Sequence, residues 1–274
     1  MAGSYVLLTV PDGNEALMAI LSELGFEAFE EEQDQIVAYL EESHYTEAFK
    51  NETAEILNQF SLKGSWSNLP VQNWNELWES NFTPVEVPGV CRVRAEFHDK
   101  NPSFPYEITI QPRMAFGTGH HQTTYMMLKH MADISWTHKK VFDFGCGTGI
   151  LAIFASMMGA NKILANDIEY ESYVNTIQNA EVNGVHNVEV LHGGLDVIED
   201  QKFDVILANI NRNVLTASVE RLAALMEDGG SLLLSGILEA DFDVIVNAYS
   251  EHGFLLSNKD QKDAWLCLKM AYKN

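Results

Sequence analysis

The chain is short of cysteine, of basic residues and of long apolar runs. Its three cysteines in 274 residues, Cys91, Cys146 and Cys267, are scattered and odd in number. No disulfide framework of the kind that holds small secreted domains together is implied. The N-terminus has no basic region followed by an apolar core, and no stretch is long enough to span a bilayer. Neither a secretory signal nor a membrane helix is expected. Lysine and arginine number 17 against 39 aspartates and glutamates, a formal charge of −22. A field of that sign repels phosphate backbones and argues against DNA or RNA as a direct substrate. It favours a basic partner, or serves solubility alone. The expectation is a cytoplasmic protein, one large domain plus a small one, with the acidic surface favouring a monomer.

What is present is concentrated at residues 141–149, Val-Phe-Asp-Phe-Gly-Cys-Gly-Thr-Gly. Val141–Phe144 reads as a strand, Gly145, Gly147 and Gly149 as a tight turn, and Ile150–Met158 as a helix packed on a sheet. Glycine is needed where backbone approaches a ligand closely or takes a positive φ. Asp167 follows at the end of the next strand, placed to accept hydrogen bonds from both hydroxyls of a ribose. The turn therefore proposes an adenosine-bearing cofactor. A dinucleotide fold prefers Gly-x-Gly-x-x-Gly, whose last glycine lies beneath a pyrophosphate. Here the third glycine comes one residue early, and Asp143 precedes the first by two. This tighter form resembles the first motif of S-adenosylmethionine-dependent methyltransferases, in which Asp143 would face the ligand's ammonium. A nicotinamide enzyme and a ligand-free turn stay open at this point.

The rest of the chain supplies the frame. Residues 1–70 carry thirteen acids against two lysines, a balance of −11. Strand-like Tyr5–Val10, helical Asn14–Leu24, a hairpin pair Phe26–Glu32 and Gln35–Leu40, helical Thr46–Phe60 and a short strand near Leu69–Val71 give the order βαββαβ, a ferredoxin-like split βαβ module. Trp74 and Trp78 share one face of a short helix before Pro84 and Pro88-Gly89 break the chain. The expected division is 1–72, an α+β substrate-recognition domain; 73–90, a helical connector; and 91–274, the cofactor-binding catalytic domain. In the last, apolar runs at Val141–Phe144, Lys162–Ala165, Val188–Leu191, Phe203–Ala208 and Ser231–Ser235 read as parallel strands buried on both faces. Gly253–Ser257 and Ala264–Met270 flank a polar loop, 258–263, too short for a helical crossover, so an antiparallel hairpin is expected. The fold class is thus α/β, a Rossmann-like sheet of seven strands, which resembles that of class I methyltransferases.

Two further segments carry chemistry. Met114–Thr124 (MAFGTGHHQTT) places Gly117, Thr118 and Gly119 in a close-approach loop and Thr123 and Thr124 at a helix start, where N–H groups and a hydroxyl would hold a carboxylate. Asn209 lies at the end of the fourth strand, in the rim where open α/β sheets bind ligands. Its amide suits either an incoming amine or the cofactor, and its bland role would be a helix N-cap. His121 is a candidate base or a loop anchor. Adjacent His120 and His121 lack further ligands at metal spacing, so no metal is expected.

With these residues in place, the chain resembles the bacterial ribosomal protein methyltransferases of PrmA type, which modify the large-subunit stalk-base protein (L-eleven). The likeness rests on Met114–Thr124, Phe142–Ala152 (FDFGCGTGILA), Asn166-Asp167-Ile168, Ala208-Asn209-Ile210, Leu234–Leu238 (LSGIL) and the Trp74/Trp78 connector, and spans nearly the whole chain. It implies S-adenosylmethionine as cofactor, with contacts at Thr124, Gly145, Asp167 and Asn209. Thr118, Asp143, Gly147 and Gly149 join them as cofactor candidates from the motifs themselves. Transfer to lysine ε-amines or an N-terminal α-amine is implied, in an acceptor pocket lined by Phe116 and Asn209 with few acids. His120, Gln122 and Asn211-Arg212-Asn213 depart from the family pattern and bear on that pocket. A glutamine- or adenine-directed enzyme would carry Pro-Pro and an aromatic ring after Asn209, where Ile210-Asn211-Arg212 stands. A small-molecule N-methyltransferase of the same fold and a non-catalytic cofactor-binding, ribosome-docking protein remain the alternatives.

Overall fold

A computed structural model describes residues 5–11, 15–32, 35–68, 83–111 and 121–273. Residues 1–81 and 82–274 make two compact units. In the first, the elements run β1 (Tyr5–Pro11), α1 (Glu15–Leu24), β2 (Ala28–Glu32), β3 (Gln35–Glu41), α2 (Glu47–Gln59) and β4 (Ser65–Asn68). They form a sheet of order β2-β3-β1-β4 with every neighbour antiparallel. The two-residue alternation of β1 buries Val6, Leu8 and Val10, and Leu8 and Val10 share one core with Leu17 and Leu21 of α1 and Leu57 of α2, as a one-sided sheet requires. Thr46 caps α2, its hydroxyl accepting from the Phe49 N–H at 3.2 Å. Phe26, read as strand, instead lies buried just before β2. The last strand is Ser65–Asn68, while 69–71 and the Trp74/Trp78 pair lie outside the described residues.

The second unit opens with a small sheet that hydropathy does not announce: β5 (Val85–Val87), β6 (Cys91–Arg94) and β7 (Glu107–Thr109), in that order. Val85–Val87, read as connector, pairs antiparallel with β6. Arg92 and Arg94 hold Glu107 at 3.0 and 3.3 Å, closing the intervening loop.

The main body follows as α3 (Gln122–Met131), β8 (Lys140–Phe144), α4 (Ile150–Met157), β9 (Lys162–Asp167), α5 (Tyr170–Val182), β10 (Val188–His192), β11 (Phe203–Asn209), α6 (Arg212–Leu225), β12 (Met226–Leu238), α7 (Phe242–Ser250), β13 (Phe254–Lys262) and β14 (Trp265–Tyr272). The sheet order is β10-β9-β8-β11-β12-β14-β13. Its first five members are parallel, and β14 runs antiparallel to both neighbours. Alternate residues fill two cores, Val141, Ala165 and Leu207 on one face with α3 and α4, and Phe142, Leu164 and Ile206 on the other with α6 and α7. The terminal hairpin is longer than its polarity implies. Residues 258–262, read as loop, continue β13, and the turn is Asp263-Ala264 with Asp263 at φ +55°. The strand order reverses between β8 and β11, which is where an open α/β sheet binds its ligand.

Candidate active site

Strand register brings the expected residues to one level. Asp143 of β8 sits opposite Ala165 of β9 and Leu207 of β11. Two positions further along each chain are Gly145, Asp167 and Asn209, a row across the carboxyl ends of three neighbouring strands at the switch point.

Gly145, Gly147 and Gly149 have φ of +71°, +57° and +77°, a region costly for other residues. The N–H groups of Gly145 and Cys146 donate to the Asn166 carbonyl at 3.0 and 2.9 Å, folding the turn back over β9. A Cβ on Gly145 would strike Ile210, and one on Gly149 would come within 2.6 Å of Thr176. Asp167, half-buried, fixes the turn from the side: its Oδ2 accepts from the Gly147 N–H at 2.8 Å and its Oδ1 from the Glu169 N–H at 3.0 Å. A carboxylate has about four acceptor positions, so capacity remains for two more donors.

Asp143 is 1% exposed. Its Oδ2 accepts from the Ala152 N–H at 3.0 Å, and its Oδ1 has no partner among the described residues. Burial pushes its pKa up to about 7, opposed by the Ala152 hydrogen bond and aided by the Asp167 charge. A buried acceptor without a donor is costly in a folded protein and calls for a partner. A cation is the partner that serves a carboxylate best.

Thr124 and Asn209 meet across the site. Thr124 is fully buried and its hydroxyl accepts from the Asn209 amide at 3.3 Å. The Asn209 Oδ1 is buried without a partner among the described residues. The N-cap of α6 is Asn211, which accepts from the Val214 N–H at 3.1 Å, so Asn209 is released from the capping role. The strand end is held from both sides by glycines. Gly236, at φ +84°, interrupts the pairing of β12 with β14, and a Cβ there would run into the Ile210 backbone. This gives the Leu234–Leu238 motif its physical sense. His121 caps α3, its Nδ1 accepting from the Thr123 N–H at 3.3 Å while its ring lies edge-on to Trp265 at 4.7 Å.

Phe116 and Thr118 lie outside the described residues. Among those described, no group of His, Cys, Asp and Glu has the makings of a metal site. Asn166 and Ile168 stand in the Asn166-Asp167-Ile168 motif, but no role for either was legible in the sequence. Ile168 is 68% exposed immediately after Asp167 and near Gly194; a large apolar residue following the acid was the available signal. Asn166, fully buried, donates to the carbonyls of Gly193 and Gly194 at 2.7 and 3.2 Å, binding the loop after β10 to the strand that anchors the glycine turn.

A ribosomal protein L11 methyltransferase of Porphyromonas gingivalis is 38% identical over 269 residues, 96% of this chain and 92% of that one. The crystal structure of a ribosomal protein L11 methylase from Lactobacillus delbrueckii subsp. bulgaricus, 29% identical, superposes with a TM-score of 0.66 over 70% of this chain and all of its own. A methyltransferase of Pyrococcus furiosus, 18% identical, covers 60% of this chain and 88% of its own with a TM-score of 0.51 and shares the fold. That fold is the class I methyltransferase sheet. The model of the family described as ribosomal protein L11 methyltransferase (PrmA) matches residues 12–273, and the chain belongs to that family.

Proposed function

We propose that the protein is an S-adenosylmethionine-dependent N-methyltransferase of ribosomal protein L11, acting in the cytoplasm on lysine ε-amines, the N-terminal α-amine, or both. The observation that carries this reading is the row of Asp167, Gly145 and Asn209, with two buried acceptors, Asp143 Oδ1 and Asn209 Oδ1, that have no donor among the described residues. These atoms fit a ligand rich in positive charge and N–H donors.

When bound, S-adenosylmethionine supplies a methyl group activated by its sulfonium for in-line displacement by a neutral amine. Asp167 would take the ribose hydroxyls, the turn from Gly145 to Gly149 would let the ligand lie against backbone, and Asp143 would face the ammonium. Thr124, with Thr118 in the preceding segment, would serve the methionyl carboxylate, and Ile168 would flank the adenine. Asn209 Oδ1 stands ready to accept from the incoming amine, and Phe116 would line its path. Holding the partners in line supplies most of the rate. A lysine amine has a pKa of about 10.4 and must lose its proton on entry. Burial lowers an amine's pKa while carboxylates raise it, so a neutral amide at Asn209 is better suited to this task than an acid. The acidic residues 1–72 would recognise the basic substrate, with the stretch from 73 to the start of β5 at Val85 as the link.

Intact mass of L11 after incubation with the enzyme and S-adenosylmethionine tests the reading. Methyl-sized increments that vanish with Asp167→Ala are the expected result. No increment, with cofactor binding verified alongside, would overturn the substrate and keep the cofactor.

Asp143 gives a pH test. The folded carboxyl keeps its proton to about pH 7, whereas the unfolded one has lost it by about pH 4. Stability of the ligand-free protein should therefore fall as pH rises through that window. A cation against Oδ1 favours the ionised form, so cofactor affinity should rise between pH 5.5 and 7.5. Asp143→Asn is expected to raise the melting temperature of the free protein at pH 7.5 and to flatten the affinity profile. Equal slopes in calorimetry of both proteins would contradict the assignment.

For His121 the geometry favours anchoring. His121→Asn preserves a capping acceptor, and kcat is expected to stay within twofold. His121→Ala should lower stability by about 1 kcal/mol, the usual value of a cap, again with kcat retained. A tenfold fall in kcat for the asparagine variant, in a protein of unchanged melting temperature, would make His121 part of the chemistry.

A further inference from the structure

Helix α5 buries a polar face where a doubly wound fold ordinarily places leucine or valine. Asn175, Thr176 and Asn179 are each fully buried, and Asn183 follows one turn later as the helix C-cap. Asparagine is a weaker helix former than leucine, and each buried amide must be satisfied. The partners are specific. Thr176 donates to the Gly147 carbonyl at 3.0 Å, and Asn179 Nδ2 donates to the Thr148 carbonyl at 2.8 Å. Both acceptors belong to the glycine turn. The second amide hydrogen of Asn179 goes to Asn175 Oδ1 at 3.2 Å.

The same two asparagines reach in the other direction. Asn179 Oδ1 accepts from the Gln111 N–H at 2.8 Å. Asn183 Oδ1 accepts from the Thr109 N–H at 2.8 Å, and its Nδ2 donates to the Thr109 carbonyl at 2.6 Å. Thr109 is the last residue of β7, at the edge of the β5-β6-β7 sheet, and Gln111 lies two residues beyond it. Their backbone groups meet side-chain amides where a fourth strand would supply peptide groups. Asn183 even reproduces the paired N–H and C=O exchange of an antiparallel ladder.

We propose that Asn179 and Asn183 are positioning residues for methyl transfer. One helix face takes the place of a strand, and it holds Thr109–Gln111, which lead in sequence to Thr124, in fixed register with the glycine turn. The inference rests on the cofactor reading above. Displacement of about 1 Å at a reacting site costs on the order of 100-fold in rate, so this register is one the reaction depends on.

The test uses the full-length protein, S-adenosylhomocysteine as the calorimetric probe, and L11 as acceptor. Asn179→Asp keeps the acceptor for Gln111 but sets a carboxylate against the Thr148 carbonyl. Asn183→Asp does the same to the Thr109 carbonyl. Each is expected to raise the Kd of the probe roughly tenfold or more and to lower kcat, with the KM for L11 within twofold. Leu222→Ala, in the opposite core, is expected to lower the melting temperature with Kd unchanged. Folded asparagine variants with wild-type Kd and kcat would overturn the proposal. Amide exchange of the unmutated protein needs no variant to fold: the probe should slow exchange at Gln111 and Thr109 together with Gly147. Protection of Gly147 alone would overturn the coupling and leave the cofactor site standing. A wild-type protein that does not bind the probe would overturn the cofactor reading, and this proposal with it.

Discussion

Asp167→Ala is expected to raise the cofactor Kd by about two orders of magnitude or more. Its carboxylate already accepts from the Gly147 and Glu169 N–H groups at 2.8 and 3.0 Å, and under the proposed function it also accepts from two ribose hydroxyls. Hydrogen bonds to a charged group contribute roughly 1.5–3 kcal/mol each, and every 1.4 kcal/mol is about tenfold in affinity. Loss of both ribose contacts therefore corresponds to about 100-fold at the least. Loss of the Gly147 anchor adds to this by loosening the turn. Asp167→Asn keeps one acceptor and should fall between. Stability should change far less than affinity, because the side chain is only half-buried. Calorimetry that finds binding unaltered in the alanine variant would show that the ribose lies elsewhere.

Asn209→Ala is expected to lower kcat by roughly 100- to 1,000-fold, the usual effect of removing one preorganised polar group at a reacting centre. The more discriminating variant is Asn209→Asp. It preserves shape and the acceptor, and it adds a negative charge where the amine arrives. That charge stabilises the ammonium and raises the pKa of the bound amine. Substrate should bind as well or better, kcat should drop at neutral pH, and the rising limb of the rate profile should move to higher pH. An aspartate variant with the wild-type pH profile would place the amine away from Oδ1. The alanine variant also deprives the Thr124 hydroxyl of its 3.3 Å donor, so a moderate rise in cofactor Kd should accompany the loss of rate.

The sequence disclosed the sheet wherever strands are buried on both faces. Val141–Phe144 and Phe203–Ala208 are apolar because helices cover both sides, and the structure keeps them as strands of the central sheet. It disclosed much of the candidate site's backbone because close approach leaves a mark: three glycines at positive φ and an acid at the next strand end. It was silent where polar side chains replace apolar packing. Residues 258–262 belong to the outermost strand, are mostly exposed, and so carry no hydrophobic signal. Strands β6 and β7 pair through their backbones, and the Arg92–Glu107 and Arg94–Glu107 pairs that brace them link partners 15 and 13 residues apart that no local pattern connects. Asn179 and Asn183 read as ordinary polar helix residues until their partners at Thr148, Gln111 and Thr109 are known. The role of Gly236 likewise depends on the Ile210 backbone, which lies beside it only in the folded sheet.

The placement of β14 between β12 and β13 has a consequence for biosynthesis. A ribosome makes β13 before β14, yet β13 has no place in the sheet until β14 has been added beside β12. Strand-by-strand growth in chain order therefore stops at β12, and β13 can join the sheet only with or after β14. During translation, at about 5–20 residues per second, the nascent domain carries a bare edge along β12, the kind of surface that invites pairing with the wrong chain. Leu266, Leu268 and Met270, all fully buried once the hairpin docks, are what remove it. A message interrupted between β13 and β14 would yield a sticky five-stranded intermediate rather than a slightly shortened enzyme.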